Sequence, residues 1–219
     1  METVTIVNGE QPLVISYLTL RRAIGIIGLS LPFILSIGKI LLESSGLECS
    51  ISAYYYSVMQ GVFVGSLCAI GIFLLSYRGY DTRDIVAGRL ACVFAVCVAL
   101  FPTARCGQAS TLRSYFHWTC AALLFLTLAY FCLALFTETD PQRTPTRKKL
   151  QRNLVYKVCG YTIVASMLVI GADKWVSPVA KVLDSINPIF WLESIAVVSF
   201  GVAWLIKGET FLKDAKPAV

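Results

Sequence analysis

Residues 50–80, SISAYYYSVMQGVFVGSLCAIGIFLLSYRGY, constrain this chain more than any other stretch. After three tyrosines the run carries no charge from Val58 to Tyr77, and its polar residues are Gln60 and serines. About 20 such residues suffice for a helix to cross the ~30 Å hydrocarbon core of a bilayer. Ser57, Gly61, Gly65 and Ala69 recur every four residues within it, a small-residue seam along which another helix can approach closely.

Five further runs reach spanning length, so the spans are expected near 23–42, 54–77, 85–104, 115–136, 154–172 and 189–206. Little chain remains outside them, and residues 1–219 read as one all-α, polytopic membrane domain, a compact bundle of six transmembrane helices. The composition agrees: 15% of residues are charged, against roughly 25% in soluble domains. The alternating pattern of a membrane β-barrel is absent. Glu2 and Glu10 precede the first run without an early basic region, so that run is expected to stay as a helix and not to be a cleaved signal.

Lysine and arginine set the expected orientation. Of the 19, fourteen fall on one side: Arg21, Arg22, Arg78, Arg83, Arg89, Arg143, Arg147, Lys148, Lys149, Arg152, Lys157, Lys207, Lys213 and Lys216. Lys39, Arg105, Arg113, Lys174 and Lys181 fall on the other. Both termini are therefore expected in the cytoplasm, as for a multi-pass protein of a cell's inner membrane. The net charge of +6 sits in short loops between apolar runs, as orientation signals do, so nucleic acid is not an expected partner. The basic loop 137–153, densest from Arg143 to Arg152, offers anionic headgroups about 1 kcal/mol per cation.

Helix 3 repeats small residues at Ala87, Ala91, Ala95 and Ala99, and a short connection makes helices 2 and 3 neighbours. Their two seams are expected to face each other, so that Gly65→Leu disrupts assembly; a seam left facing lipid would point to a homo-oligomer. Lys39 and Glu43 stand four apart and pair on one helix face. Thr144–Pro145 and Asn187–Pro188 have the form of helix starts. Trp118, Trp175 and Trp191 at one boundary, and Trp204, Tyr77 and Tyr156 at the other, suit aromatic belts.

Chemistry is expected near the outer face, where the topology gathers Ser50, Ser52, Tyr54, Tyr55, Tyr56, Arg105, His117 and Glu193. Glu193 is the one carboxylate well inside a span, and such a group marks either function or an ion pair that fixes packing, with Arg105 or His117 as partner. His117 with Ser50 or Ser52 and Glu193 has the residue types of a hydrolase triad, but a triad is defined by geometry. A zinc held by histidines is disfavoured by the single histidine, and no cofactor motif is present. Among eight cysteines, Cys49 and Cys106 are both placed in outer loops, where an oxidising compartment permits a bridge.

The motifs SISAYYY, FVG, YRGYD, Ala87–Gly88, ALFPT, RNLVYKVCG, FWLE and FGVAWLIKGE together resemble a family of uncharacterised bacterial six-span inner-membrane proteins, over residues 17–209. The resemblance implies the fold and the orientation of the termini, and no substrate or catalytic residue. The functional expectation is an outer-leaflet pocket for a small or amphiphilic ligand, lined by Ser52, Tyr54, Tyr55, Arg105, His117 and Glu193. A transporter or channel component is the alternative class, and an intramembrane lipid-modifying hydrolase the third.

Overall fold

The computed structural model describes residues 16–77, 79, 81–139, 142, 144–175 and 187–212, the side chains of 173–175 excepted. Arg78, Arg143, Lys181, Lys213 and Lys216 of the charge count, and the side chains of Lys174 and Trp175, lie outside what is described. Six long helices are present among the described residues: α1 (Tyr17–Glu43), α2 (Gln60–Leu75), α3 (Thr82–Leu100), α4 (Leu112–Tyr130), α5 (Arg147–Trp175) and α6 (Pro188–Lys207). Four of them, α1, α4, α5 and α6, are long and apolar enough to cross a membrane.

Local chemistry accounts for the helix starts. Ser16, Asp81 and Thr111 each accept a backbone N–H of the first turn of α1, α3 and α4, and Asp81–Asp84 and Thr111–Ser114 complete reciprocal capping boxes. Thr146, not the expected Thr144, caps α5, its hydroxyl accepting from the Lys149 amide over 3.1 Å. Asn187 enters α6 in the left-handed region, with Pro188 in the first turn. Past Tyr130, α4 widens into a π-turn over Phe131–Leu135.

Each helix packs against its neighbour in the chain, and α6 returns to α1, which closes a ring of antiparallel helices. One end carries the α1–α2 and α3–α4 connections. The opposite end carries the start of α1, the α2–α3 and α4–α5 connections, and the end of α6.

The alanine seam of α3 is buried as expected, but the seam of α2 does not meet it. Gly61 and Gly65 are exposed, and no atom lies within 4 Å of a Cβ added at either. The face of α2 against α3 is instead that of Gly71 and Leu74: a Cβ on Gly71 would lie 3.5 Å from the Ala95 Cβ, and one on Gly88 would meet the Leu74 carbonyl. Because α2 is apolar all round, its composition does not choose the buried face. Backbones of α1 and α6 also approach closely, and a Cβ on Gly201 would collide with the Leu29 amide nitrogen and the Gly25 carbonyl. Such contact supplies dense dispersion where lipid removes the hydrophobic incentive.

Trp204, Tyr77 and Tyr156 are also not belt residues. All three are buried, and Trp204 packs edge-on to Tyr77, Phe131 and Phe136. The π-turn, which adds one residue to the helical repeat, leaves Phe131 and Phe136 both in this aromatic core.

Candidate functional site

The α1–α2 connection is tied down across the disulfide end of the ring. Buried Lys39 pairs with Glu48 at 2.7 Å, more closely than with Glu43 at 3.9 Å, and donates to the Gly46 carbonyl. Glu43 accepts the Val58 amide at 2.6 Å. Cys49 and Cys106 form a disulfide that joins this connection to the one between α3 and α4. Between these ties, residues 52–56 form a short 3-10 helix that α2 does not continue, because Ser57 is extended and its hydroxyl bonds to both the Tyr54 carbonyl and the Met59 amide.

Glu193 serves that short helix. Its carboxylate accepts the Ile51 amide at 2.7 Å and the Ser52 amide at 3.4 Å, the N–H groups that a helix start leaves without intrahelical partners. A negative group there also meets the positive end of the peptide dipoles. The expected partners Arg105 and His117 are engaged elsewhere. His117 is 2% exposed, and its Nδ1 lies 2.6 Å from the Phe101 carbonyl at the end of α3. A carbonyl only accepts, so Nδ1 carries the hydrogen and the ring caps α3.

No hydrolase triad is assembled from these parts. Ser50 and Ser52 bond to each other at 3.1 Å, Ser50 also accepts the Ala53 amide, and no hydrogen bond joins either serine to His117 among the described residues. Tyr54 is fully buried against Phe190, and Tyr55 packs edge-on to Tyr56. Ser52, Tyr54 and Glu193 thus belong to one structural knot and His117 to another.

A polar pocket of about 390 Å³ does lie at this end, and two residues of the expected outer-face group, Tyr56 and Arg105, line it. Thr103, Gln108, Thr111 and Arg113 are its other polar lining residues, and no carboxylate is among them. The Tyr56 hydroxyl donates to the Thr103 carbonyl at 2.7 Å, and the Arg105 guanidinium sits 4.7 Å over the Tyr56 ring. Trp118 donates to the Thr103 hydroxyl at 3.0 Å, which holds the floor of the pocket to α4. A turn over Arg105–Gln108, closed by the Gln108 amide on the Arg105 carbonyl, presents Arg105 beside the disulfide. Gly107 takes a φ of 76° in that turn, a conformation that costs other residues.

The two guanidiniums and the Gln108 amide around this cleft carry the kind of N–H donors that a small anionic group accepts from. Sequence reasoning placed Tyr56 at this end but overlooked Thr103, Gln108 and Arg113. The signal for them was the loop PTARCGQASTLR, with an arginine on either side of a glycine turn. The chain matches no family model, no curated protein and no solved structure, so the family resemblance rests on its short motifs.

Proposed function

We propose that this chain is a six-span inner-membrane protein that holds a small or amphiphilic anion in the outer-leaflet pocket of Arg105 and Arg113. The observation that carries the reading is the pocket itself: two arginines face a cleft that has no carboxylate in its lining. At the level of the headgroups, an amphiphile places its charge there and its tail along the bundle.

Two observations support the orientation. Among cations whose side chains are described, the end opposite the disulfide carries Arg21, Arg22, Arg83, Arg147, Lys148, Lys149, Arg152 and Lys207, against Lys39, Arg105 and Arg113 at the disulfide end. The Cys49–Cys106 bridge suits an oxidising compartment. The 16 residues of α2, at ~1.5 Å each, reach ~24 Å and make it the short span of the six.

The test is thermal unfolding of the purified chain in a neutral maltoside detergent, titrated with dodecyl phosphate. Wild type is expected to be stabilised, and Arg105→Gln with Arg113→Gln to weaken the half-saturation about tenfold, as loss of two charge-assisted contacts implies. An unchanged titration in the double variant ends the reading.

A further inference from the structure

An apolar groove of about 530 Å³ runs between α3 and α4 on the outside of the bundle, lined by Val86, Leu90 and Phe94 of α3 and by Leu123 and Leu126 of α4. Val86, Leu90 and Leu126 are each close to half exposed. Thr82 and Arg83 line its end away from the disulfide. From Thr82 to Phe94, at ~1.5 Å per residue, the groove runs ~18 Å along α3. That is close to the ~15 Å depth of one leaflet in a ~30 Å hydrocarbon core.

The polar end of the groove is charged and has open positions. Arg83 Nη2 lies 2.7 Å from both Asp81 and Glu138, and Arg83 Nε donates to Asp81 at 2.7 Å. Two carboxylates around one guanidinium leave a surplus of negative charge. The second Asp81 oxygen accepts the Arg83 and Asp84 amides. Arg83 Nη1 and Glu138 Oε2 take no hydrogen-bond partner among the described residues, and both side chains are about half exposed. An open donor beside an open carboxylate oxygen suits a zwitterion, whose anion accepts from Nη1 while its cation donates to Oε2.

We propose that this groove binds phosphatidylethanolamine, with one acyl chain along α3 and α4, its phosphate on Arg83 and its ammonium on Glu138. The primary ammonium brings three N–H donors to the carboxylate, where the quaternary ammonium of phosphatidylcholine brings none. Phosphatidylglycerol brings a phosphate without a cation and meets the surplus negative charge as a repulsion. A helix from a second copy would bury the charged cluster, whereas a headgroup leaves it at the interface. The inference rests on the membrane placement of α3 and α4 proposed above, and is independent of the anion pocket at the disulfide end.

The experiment follows thermal unfolding of the full chain in maltoside micelles doped with dioleoyl phosphatidylethanolamine, phosphatidylcholine or phosphatidylglycerol. In wild type, phosphatidylethanolamine is expected to half-saturate at about a tenth of the mole fraction that either other lipid needs, as one charge-assisted hydrogen bond implies. Glu138→Gln is expected to raise the phosphatidylethanolamine value about tenfold, to that of phosphatidylcholine, and to leave the phosphatidylcholine value unchanged. Leu90→Phe, at a half-exposed position, narrows the groove and is expected to lose most of the stabilisation by any of the three. Should Leu90→Phe fold poorly, Val86→Phe takes its place. The proposal is overturned if the three lipids titrate alike in wild type, if phosphatidylglycerol is preferred, or if Glu138→Gln keeps the preference. Stabilisation that follows protein concentration in place of lipid content assigns the groove to a second copy and also overturns it. A chain that stays folded and monodisperse without detergent overturns the membrane reading and this inference with it, whereas equal titration by micellar protein overturns the inference alone.

Discussion

The Ile51 amide donates to the Glu193 carboxylate over 2.7 Å and joins two residues 142 apart in the chain. The acid of α6 therefore works as a helix cap for a segment delivered by the α1–α2 connection. Removing the acceptor leaves the first turn of Ser52–Tyr56 without its cap, so Glu193→Ala is expected to cost about 2 kcal/mol of stability. Glu193→Gln keeps an acceptor oxygen without the charge and is expected to cost less. Thermal unfolding in detergent separates the two, and equal stability of Glu193→Ala and wild type would remove the capping role.

Glycine positions on α2, α3 and α6 divide sharply. Gly65→Leu is expected to leave stability within about 0.5 kcal/mol of wild type, since open space surrounds its Cβ position. Gly88→Leu and Gly201→Leu would press side chains into the Leu74 carbonyl and the Leu29 amide. These are expected to cost about 3 kcal/mol or more, through helix separation. Size-exclusion profiles and melting of the three variants check the contrast.

The Cys49–Cys106 bridge closes a loop with a sequence separation of 57. By the loop-entropy relation such a loop is worth about 4 kcal/mol through the unfolded state, so Cys49→Ser with Cys106→Ser is expected to melt well below wild type. A thiol-specific label without reductant should modify neither cysteine in wild type. Labelling of both would remove the bridge.

The α2–α3 and α4–α5 connections are joined by Arg83, which donates to Asp81 and to Glu138 at 2.7 Å each. The hydrogen bond from the Arg83 side chain holds the exposed Asp81 carboxyl below the ordinary aspartate range. A depressed folded-state pKa contributes stability above the ordinary aspartate value, and that contribution is lost as pH falls through the lowered one. Asp81→Asn keeps a capping side chain without the charge. The gap between it and wild type is therefore expected to be present at neutral pH, to close in acid, and to shrink with salt. A gap that widens in acid would contradict the assignment.

Much of the architecture was legible residue by residue. Asn187–Pro188 marked the start of α6, and the outer-loop positions of Cys49 and Cys106 permitted the bridge that the structure shows. The boundaries of α4 and α6 followed from apolar runs. The α2 seam was not legible, because a helix apolar on every side carries no mark of which face meets protein and which meets lipid. For the same reason the Gly25–Gly201 contact, which holds α1 to α6, stayed hidden among many glycines.

The candidate site divides along the same line. Residue types and spacing determined that the disulfide end would be polar and carry Arg105, since a polar loop cannot lie in hydrocarbon. Which groups share a pocket was decided only by tertiary structure. Helix ends leave backbone N–H and C=O groups unmet, and the nearest capable side chains are drawn to them. Glu193 went to the Ile51 amide and His117 to the Phe101 carbonyl. Arg105, held by a glycine turn over the Tyr56 ring, was left to line the cleft.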